Sequence, residues 1–146
     1  MRSSALSVVA RADTVLCVGT AFERLGSARF VSLTTFRRTG EPVSTPVWVV
    51  PDGFALLVTT QPGTGKIKRL RHTRRVELRP CNRLGRVGDG VMPVSGVAEI
   101  REDEQSIREL NGALVRKYGL QVRLVLLAER TFGKRAGRVV VRITEP

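Results

Sequence analysis

The sequence predicts a mainly β domain, six strands curled into a small closed or partly closed barrel with two or three short peripheral helices. Three observations predict it. Between residues 29 and 100, stretches rich in Val, Thr and Phe recur between short turns bearing Gly or Pro, the pattern of an antiparallel barrel. Few segments repeat apolar residues at helical spacing. The length, 146 residues, is one domain's worth and suffices to bury a core.

Taken in order, the first 28 residues carry apolar pieces (Ala5 to Ala10, Val15 to Val18) that Arg11 and Asp13 interrupt. No secretory leader or membrane span is expected there. The segment reads as a ragged lead-in, with residues 1–20 an N-terminal extension and residues 21–146 the barrel domain. Arg29 to Arg37 is the first strand, ending in the turn Arg38-Thr39-Gly40-Glu41. Val43 to Val50 is the second, with Val43, Thr45, Val47 and Val49 on one face. Pro51-Asp52-Gly53 reads as a tight hairpin turn and Phe54 to Thr60 as the returning strand. Val76 to Cys81, Val91 to Ile100 and Arg138 to Thr144 complete the six. Lys66 to His72 is a helix of one or two turns. Glu104 to Tyr118 is a longer one, with Ile107, Leu110, Leu114 and Tyr118 on a face, Asp103 as N-cap and Gly119 as its end. Leu120 to Arg130 is a candidate further helix.

The charge is unusual. Twenty-five Lys and Arg oppose thirteen Asp and Glu, a net +12, which implies an anionic partner. Nine of the basic residues fall between Lys66 and Arg86, where Glu77 is the sole acid, so this stretch carries +8 of the total. Aromatic residues make up only 5% and none lies in that stretch, which argues against single-strand nucleic-acid binding, where bases stack on aromatic platforms. Two cysteines, Cys17 and Cys81, form no disulfide framework, and a cytoplasmic setting is expected. One histidine, His72, and cysteines without zinc-site spacing predict no metal site. No catalytic acid, base or nucleophile stands out, so chemistry, if any, falls to a cofactor.

The strongest local motif is Thr59-Thr60-Gln61-Pro62-Gly63-Thr64-Gly65-Lys66. It leaves a strand, turns through glycines and opens a helix, so backbone N–H groups, Thr hydroxyls and a Lys converge as in a phosphate cradle. A Walker A loop is excluded, because Thr60 and Ile67 stand where it requires Gly and Ser or Thr. On spacing alone, an ordinary glycine-rich connection with solvated lysines fits equally well.

From Arg29 to Arg86 the chain resembles the split-barrel flavin and deazaflavin oxidoreductases related to pyridoxamine 5′-phosphate oxidase, and within them the actinobacterial branch that uses coenzyme F420. The resemblance is carried by Leu33-Thr34-Thr35-Phe36-Arg37-Arg38-Thr39-Gly40, Val43-Ser44-Thr45-Pro46-Val47-Trp48-Val49, Gly65-Lys66-Ile67-Lys68-Arg69-Leu70-Arg71 and Val76-Glu77-Leu78-Arg79-Pro80-Cys81-Asn82. Looser matches are Pro93-Val94-Ser95-Gly96 and Arg116-Lys117-Tyr118-Gly119.

The resemblance implies an FMN-binding type of split barrel. It implies that Thr45, Pro46, Val47 and Trp48 line the coenzyme ring, that Thr59, Thr60, Thr64, Gly65 and Lys66 hold its phosphate, and that Lys68 and Arg69 flank it. Gly65 stands where the FMN oxidases have Arg, which favours the deazaflavin F420 over FMN. The implied activity is hydride transfer between F420 and a small organic substrate, in a homodimer with coenzyme at the subunit interface. Lys68, Arg69, Arg71, Arg74 and Arg75 would then attract the coenzyme's oligoglutamate tail. The competing readings are a barrel that binds FMN or haem, or carries deazaflavin without turnover, and, more remotely, a basic nucleic-acid-binding barrel.

Overall fold

The computed structural model describes residues 21–121, 123–124 and 138–146. The chain enters through a helix, α1, over residues 21–27. The sequence reading left this segment without structure. Phe22 and Leu25, one helical turn apart, are nonetheless both buried in the core, and this tertiary contact, not local propensity, holds the turns in place.

Seven strands follow: β1 (Phe30–Phe36), β2 (Pro42–Val47), β3 (Val49–Asp52), β4 (Ala55–Thr60), β5 (Arg75–Cys81), β6 (Val94–Arg101) and β7 (Val139–Thr144). They form one antiparallel sheet in the order β2-β1-β5-β6-β7-β4-β3. The count is seven, not six, because the second predicted strand divides at Trp48. Up to Val47 it pairs with β1 (Val47 opposite Val31), and from Val49 it pairs with β4 (Val49 opposite Val58). β2 and β3 are therefore the two outer edges of the sheet, yet a single residue joins them. The sheet must curl until its edges meet, which makes the barrel and puts its split at Trp48.

Turn chemistry explains two further shifts. β3 runs on to Asp52, so the hairpin loop is Gly53-Phe54, with Gly53 at φ 60°, a backbone conformation that costs a glycine little. Phe54, read as a strand residue, is instead 95% exposed at the loop tip. The fifth predicted strand starts three residues late, at Val94, after a loop that Asn82 organises.

Helix α2 (Gly65–His72) places Ile67 and Leu70 against the barrel core. Helix α3 (Glu104–Tyr118) starts as the sequence predicts: Asp103 accepts from the Ser106 amide and hydroxyl, both at 2.9 Å, and these bonds hold its carboxyl below the usual carboxylate range. Gly119 ends it at φ 70°. Leu110 and Leu114 pack on Val50, Leu57 and Val140, the outer face of β3, β4 and β7. β4 is thus covered on both faces, which is why its sequence reads as an unbroken apolar run. Burying each leucine stabilises the fold by about 2 kcal/mol. Of the helix expected over Leu120 to Arg130, residues 120–121 and 123–124 are helical; its remainder lies outside the described residues. No helix among the described residues is long and apolar enough to cross a membrane.

Candidate functional site

The split of the barrel opens onto a cleft of about 360 Å³ lined by Phe30, Pro46, Val47, Trp48, Thr59, Thr60, Gln61, Thr64, Lys66, Arg83 and Arg138, within the size range of small-molecule sites. Its two halves differ in chemistry. Phe30, Pro46, Val47 and Trp48, from the start of β1 and the β2–β3 junction, form an apolar wall. The Thr hydroxyls, Lys66, Arg83 and Arg138 form a cationic one. Among the described residues, no carboxylate lines the cleft.

Trp48 is held from behind. Its ring lies 5.9 Å, centroid to centroid, from that of Tyr118 at the end of α3, tilted by 31°. The Tyr118 hydroxyl is 2.7 Å from the Arg29 carbonyl and 2.9 Å from the Val49 carbonyl, and lies 3.3 Å from the Val49 amide as an acceptor. Lys117 donates to the carbonyls of Gly26, Ala28 and Val49 at 2.5, 2.7 and 2.7 Å. Burial pulls this lysine's pKa down to about 8. Together the two side chains fasten α3 to α1, to the start of β1 and to the residue after Trp48.

On the cationic side, β4 ends at Thr60 beside the start of β7, with Thr60 opposite Val139. Register therefore brings Arg138 to the cleft, where it donates to the Thr59 hydroxyl at 3.1 Å. The chain then turns at Gly63 (φ 77°) into α2. Thr64 is the N-cap, but no side chain caps the helix, so its first-turn N–H groups are available to an anion. The Thr64 and Thr60 hydroxyls are 3.4 Å apart. Lys66 is half-buried, and burial followed by the Arg69 charge pulls its pKa below the usual lysine range. Arg83 arrives on the loop after β5, where Asn82 Oδ1 accepts from the amides of Leu84 and Arg86, both at 2.9 Å.

Of the eleven residues singled out in the sequence, Pro46, Val47, Trp48, Thr59, Thr60, Thr64 and Lys66 line this one cleft. The other four do not. Thr45 is paired with Leu33 and has its hydroxyl buried without a partner. Gly65 begins α2, and a Cβ there would lie 2.8 Å from Arg69 Nη1, so the glycine makes room for the folded-back guanidinium. Arg69 donates from Nε to the buried Thr35 hydroxyl at 2.7 Å, and Lys68 is exposed on α2. Nor do Arg71, Arg74 and Arg75, expected along a coenzyme tail, line the cleft; Arg71 lies 3.5 Å from Glu102 and Arg75 3.2 Å from Glu77.

Phe30, Gln61, Arg83 and Arg138 line the cleft without having been among those eleven. Arg83 belonged to the basic run. Phe30 and Arg138 carried no local signal, since strand register alone brings them there.

A sequence profile described as pyridoxamine 5′-phosphate oxidase matches residues 19–144. The chain belongs to the pyridoxamine 5′-phosphate oxidase family. No curated protein matches the sequence. Among solved structures, this family member is similar to a conserved hypothetical protein from Mycobacterium tuberculosis (26% identity, 83% of this chain and 75% of that one, TM-score 0.61). It shares its fold with a protein named F420 reductase (19% identity, 85% and 92% covered, TM-score 0.57). The haem storage protein HutZ from Vibrio cholerae shares the fold as well (10% identity, 88% and 90% covered, TM-score 0.62).

Proposed function

We propose that the cleft binds a phosphorylated redox coenzyme, the deazaflavin F420 before FMN, and that the protein is an oxidoreductase acting on a small organic substrate. The observation that carries this is the pairing, in one cleft, of an apolar wall at Trp48 with a cationic wall at the start of α2, whose N-terminus no side chain caps. The donor set fits such a group: Thr60, Thr64 and Lys66 supply hydroxyl and ammonium donors for a phosphate, and Arg83 and Arg138 add positive field. Pro46, Val47, Trp48 and Phe30 offer a flat apolar surface for a ring system. When bound, the coenzyme supplies hydride chemistry. The protein's own part is to fix the ring against Trp48, hold the phosphate and keep water from the buried side.

A small substrate would occupy the open side of the cleft. A second copy of the chain, in a homodimer, would complete its wall. The preference for F420 rests on the resemblance at Gly65 and on the F420 reductase that shares the fold. A haem reading has less support, because among the described residues no His, Cys, Met or Tyr lines the cleft to serve as an axial ligand. Titration of the protein with F420 and with FMN tests the proposal. F420 is expected to saturate one site per chain, and Lys66→Ala to weaken it by about 10- to 100-fold, the scale of a hydrogen bond to a charged group, with the fold intact. Tighter FMN binding moves the assignment to the flavin branch. An unchanged dissociation constant in Lys66→Ala sinks the phosphate site itself.

A further inference from the structure

Of the basic run, Arg75 lies at the other end of β1, beside Arg37 and Arg38 of the β1–β2 turn. Phe30 opens onto the cleft and Phe36 closes the strand six residues later, roughly 20 Å away at about 3.3 Å per residue. There, Phe36, Arg37, Arg38, Gly40, His72, Thr73 and Arg75 surround a second pocket of about 470 Å³. It is built from the β1–β2 turn, the end of α2 and the start of β5. Two of its three arginines are ion-paired, each with a single carboxylate. Arg37 Nε is 3.9 Å from Glu41, at the outer limit of an ion pair. Arg75 lies over the Phe36 ring at 4.4 Å and reaches Glu77 with one nitrogen at 3.2 Å.

Arg38 is the informative one. Its only described partner is His72, whose Nε2 accepts from Arg38 Nε at 3.2 Å and lies 3.0 Å from Nη2. That geometry uses the imidazole lone pair, so the ring contributes no negative charge. Two of the five guanidinium N–H groups are engaged and three remain for another acceptor. The imidazole fixes the planar fork that suits a bidentate oxyanion. Just outside the pocket, burial and, after it, the Arg37 charge lower the pKa of Arg69.

We infer that this pocket is a second anion site, separate from the coenzyme cleft, which takes a multiply charged phosphate group on Arg37, Arg38 and Arg75. Carboxylates would satisfy one fork at a time. A diphosphate presents enough oxygens to engage the three guanidinium groups together.

The inference does not rest on the coenzyme reading, and its test uses pyrophosphate as the probe. Calorimetric titration of the intact protein at low salt should give one saturable site per chain. Arg37→Gln and Arg38→Gln, both at exposed positions, should each weaken it tenfold or more, the lower end expected for a charged hydrogen bond. Lys66→Ala, in the cleft, should change it less than twofold. Pyrophosphate at a concentration that saturates the wild type should raise its melting temperature more than that of Arg38→Gln, since a ligand that binds only the folded state stabilises it more the more tightly it binds. Three results overturn the site: no saturation, equal small losses in every arginine variant (the mark of a diffuse basic surface), or displacement of pyrophosphate by F420 or FMN.

Discussion

Replacing Lys117 with Met should separate the scaffold behind Trp48 from the cleft chemistry in front of it. Met keeps the length and apolar stem of the side chain but cannot donate to the carbonyls of Gly26, Ala28 and Val49. A hydrogen bond from a charged donor contributes about 1.5–3 kcal/mol, and three on one ammonium do not add. The cost of half-burying that ammonium, visible in its pKa of about 8, offsets part of the gain. The net loss should be about 2 kcal/mol, or roughly 6 °C in melting temperature for a chain of this size.

The pH dependence has a definite sign. The folded pKa, about 8, lies below the ordinary 10.5, so between those values the unfolded chain binds more protons and this group's share of stability rises with pH. The full difference corresponds to about 3.4 kcal/mol, and screening at a half-buried position reduces it to about 1 kcal/mol. Tyr118 and Cys81, whose pKa values burial raises, act in the opposite direction at high pH. They are present in both proteins and largely cancel in the difference. Urea denaturation of wild type and Lys117→Met at about pH 7.5 and about pH 10 measures this. The stability gap should widen by about 1 kcal/mol at the higher pH. A variant within about 0.5 kcal/mol of wild type at both pH values would refute the role given to Lys117.

Three other outcomes are expected. Gly96→Ala should cost about 2 kcal/mol by chemical denaturation, because its Cβ would lie 2.6 Å from Ile143 Cγ2 and 3.2 Å from the Thr144 carbonyl; unchanged stability would show that β6 and β7 can part at that point. Trp48 is the only tryptophan, so bound coenzyme should quench intrinsic fluorescence, and a saturating ligand that leaves the emission unaltered is not seated on the apolar wall. Sedimentation of the coenzyme-loaded protein at micromolar concentration should give a dimer; a stable monomer would remove the partner from the proposed site.

Much of this could be read from residue order, and what could not has a common cause. α3, its Asp103 cap and its Gly119 stop rest on contacts within one turn, and they stand where the periodicity puts them. The division at Trp48 was invisible because Val43, Thr45, Val47 and Val49 alternate without a break; what changes there is the partner strand, a non-local fact. α1 was missed because two apolar residues one turn apart are too few to signal a helix until a core covers them. The glycine-rich turn stood out in the sequence, and Thr60, Thr64 and Lys66 do meet at one cleft. The folding-back of Arg69 over Gly65 was not legible, nor was the gathering of Arg37, Arg38 and His72, since a run of arginines says nothing about which way each side chain turns.

The sheet order also dictates a sequence of assembly. The hairpins β1–β2 and β3–β4 are local and can form as soon as they are synthesised, but nothing then fixes one against the other. β7 lies between β6 and β4, so the last strand made is an interior one that joins the two halves of the sheet. Val139 and Val140 set Thr60 and Thr59 in register, and Arg138 comes with them. On a nascent chain that lacks β7 the cationic wall therefore has no Arg138, and the cleft is complete only once β7 has joined the sheet.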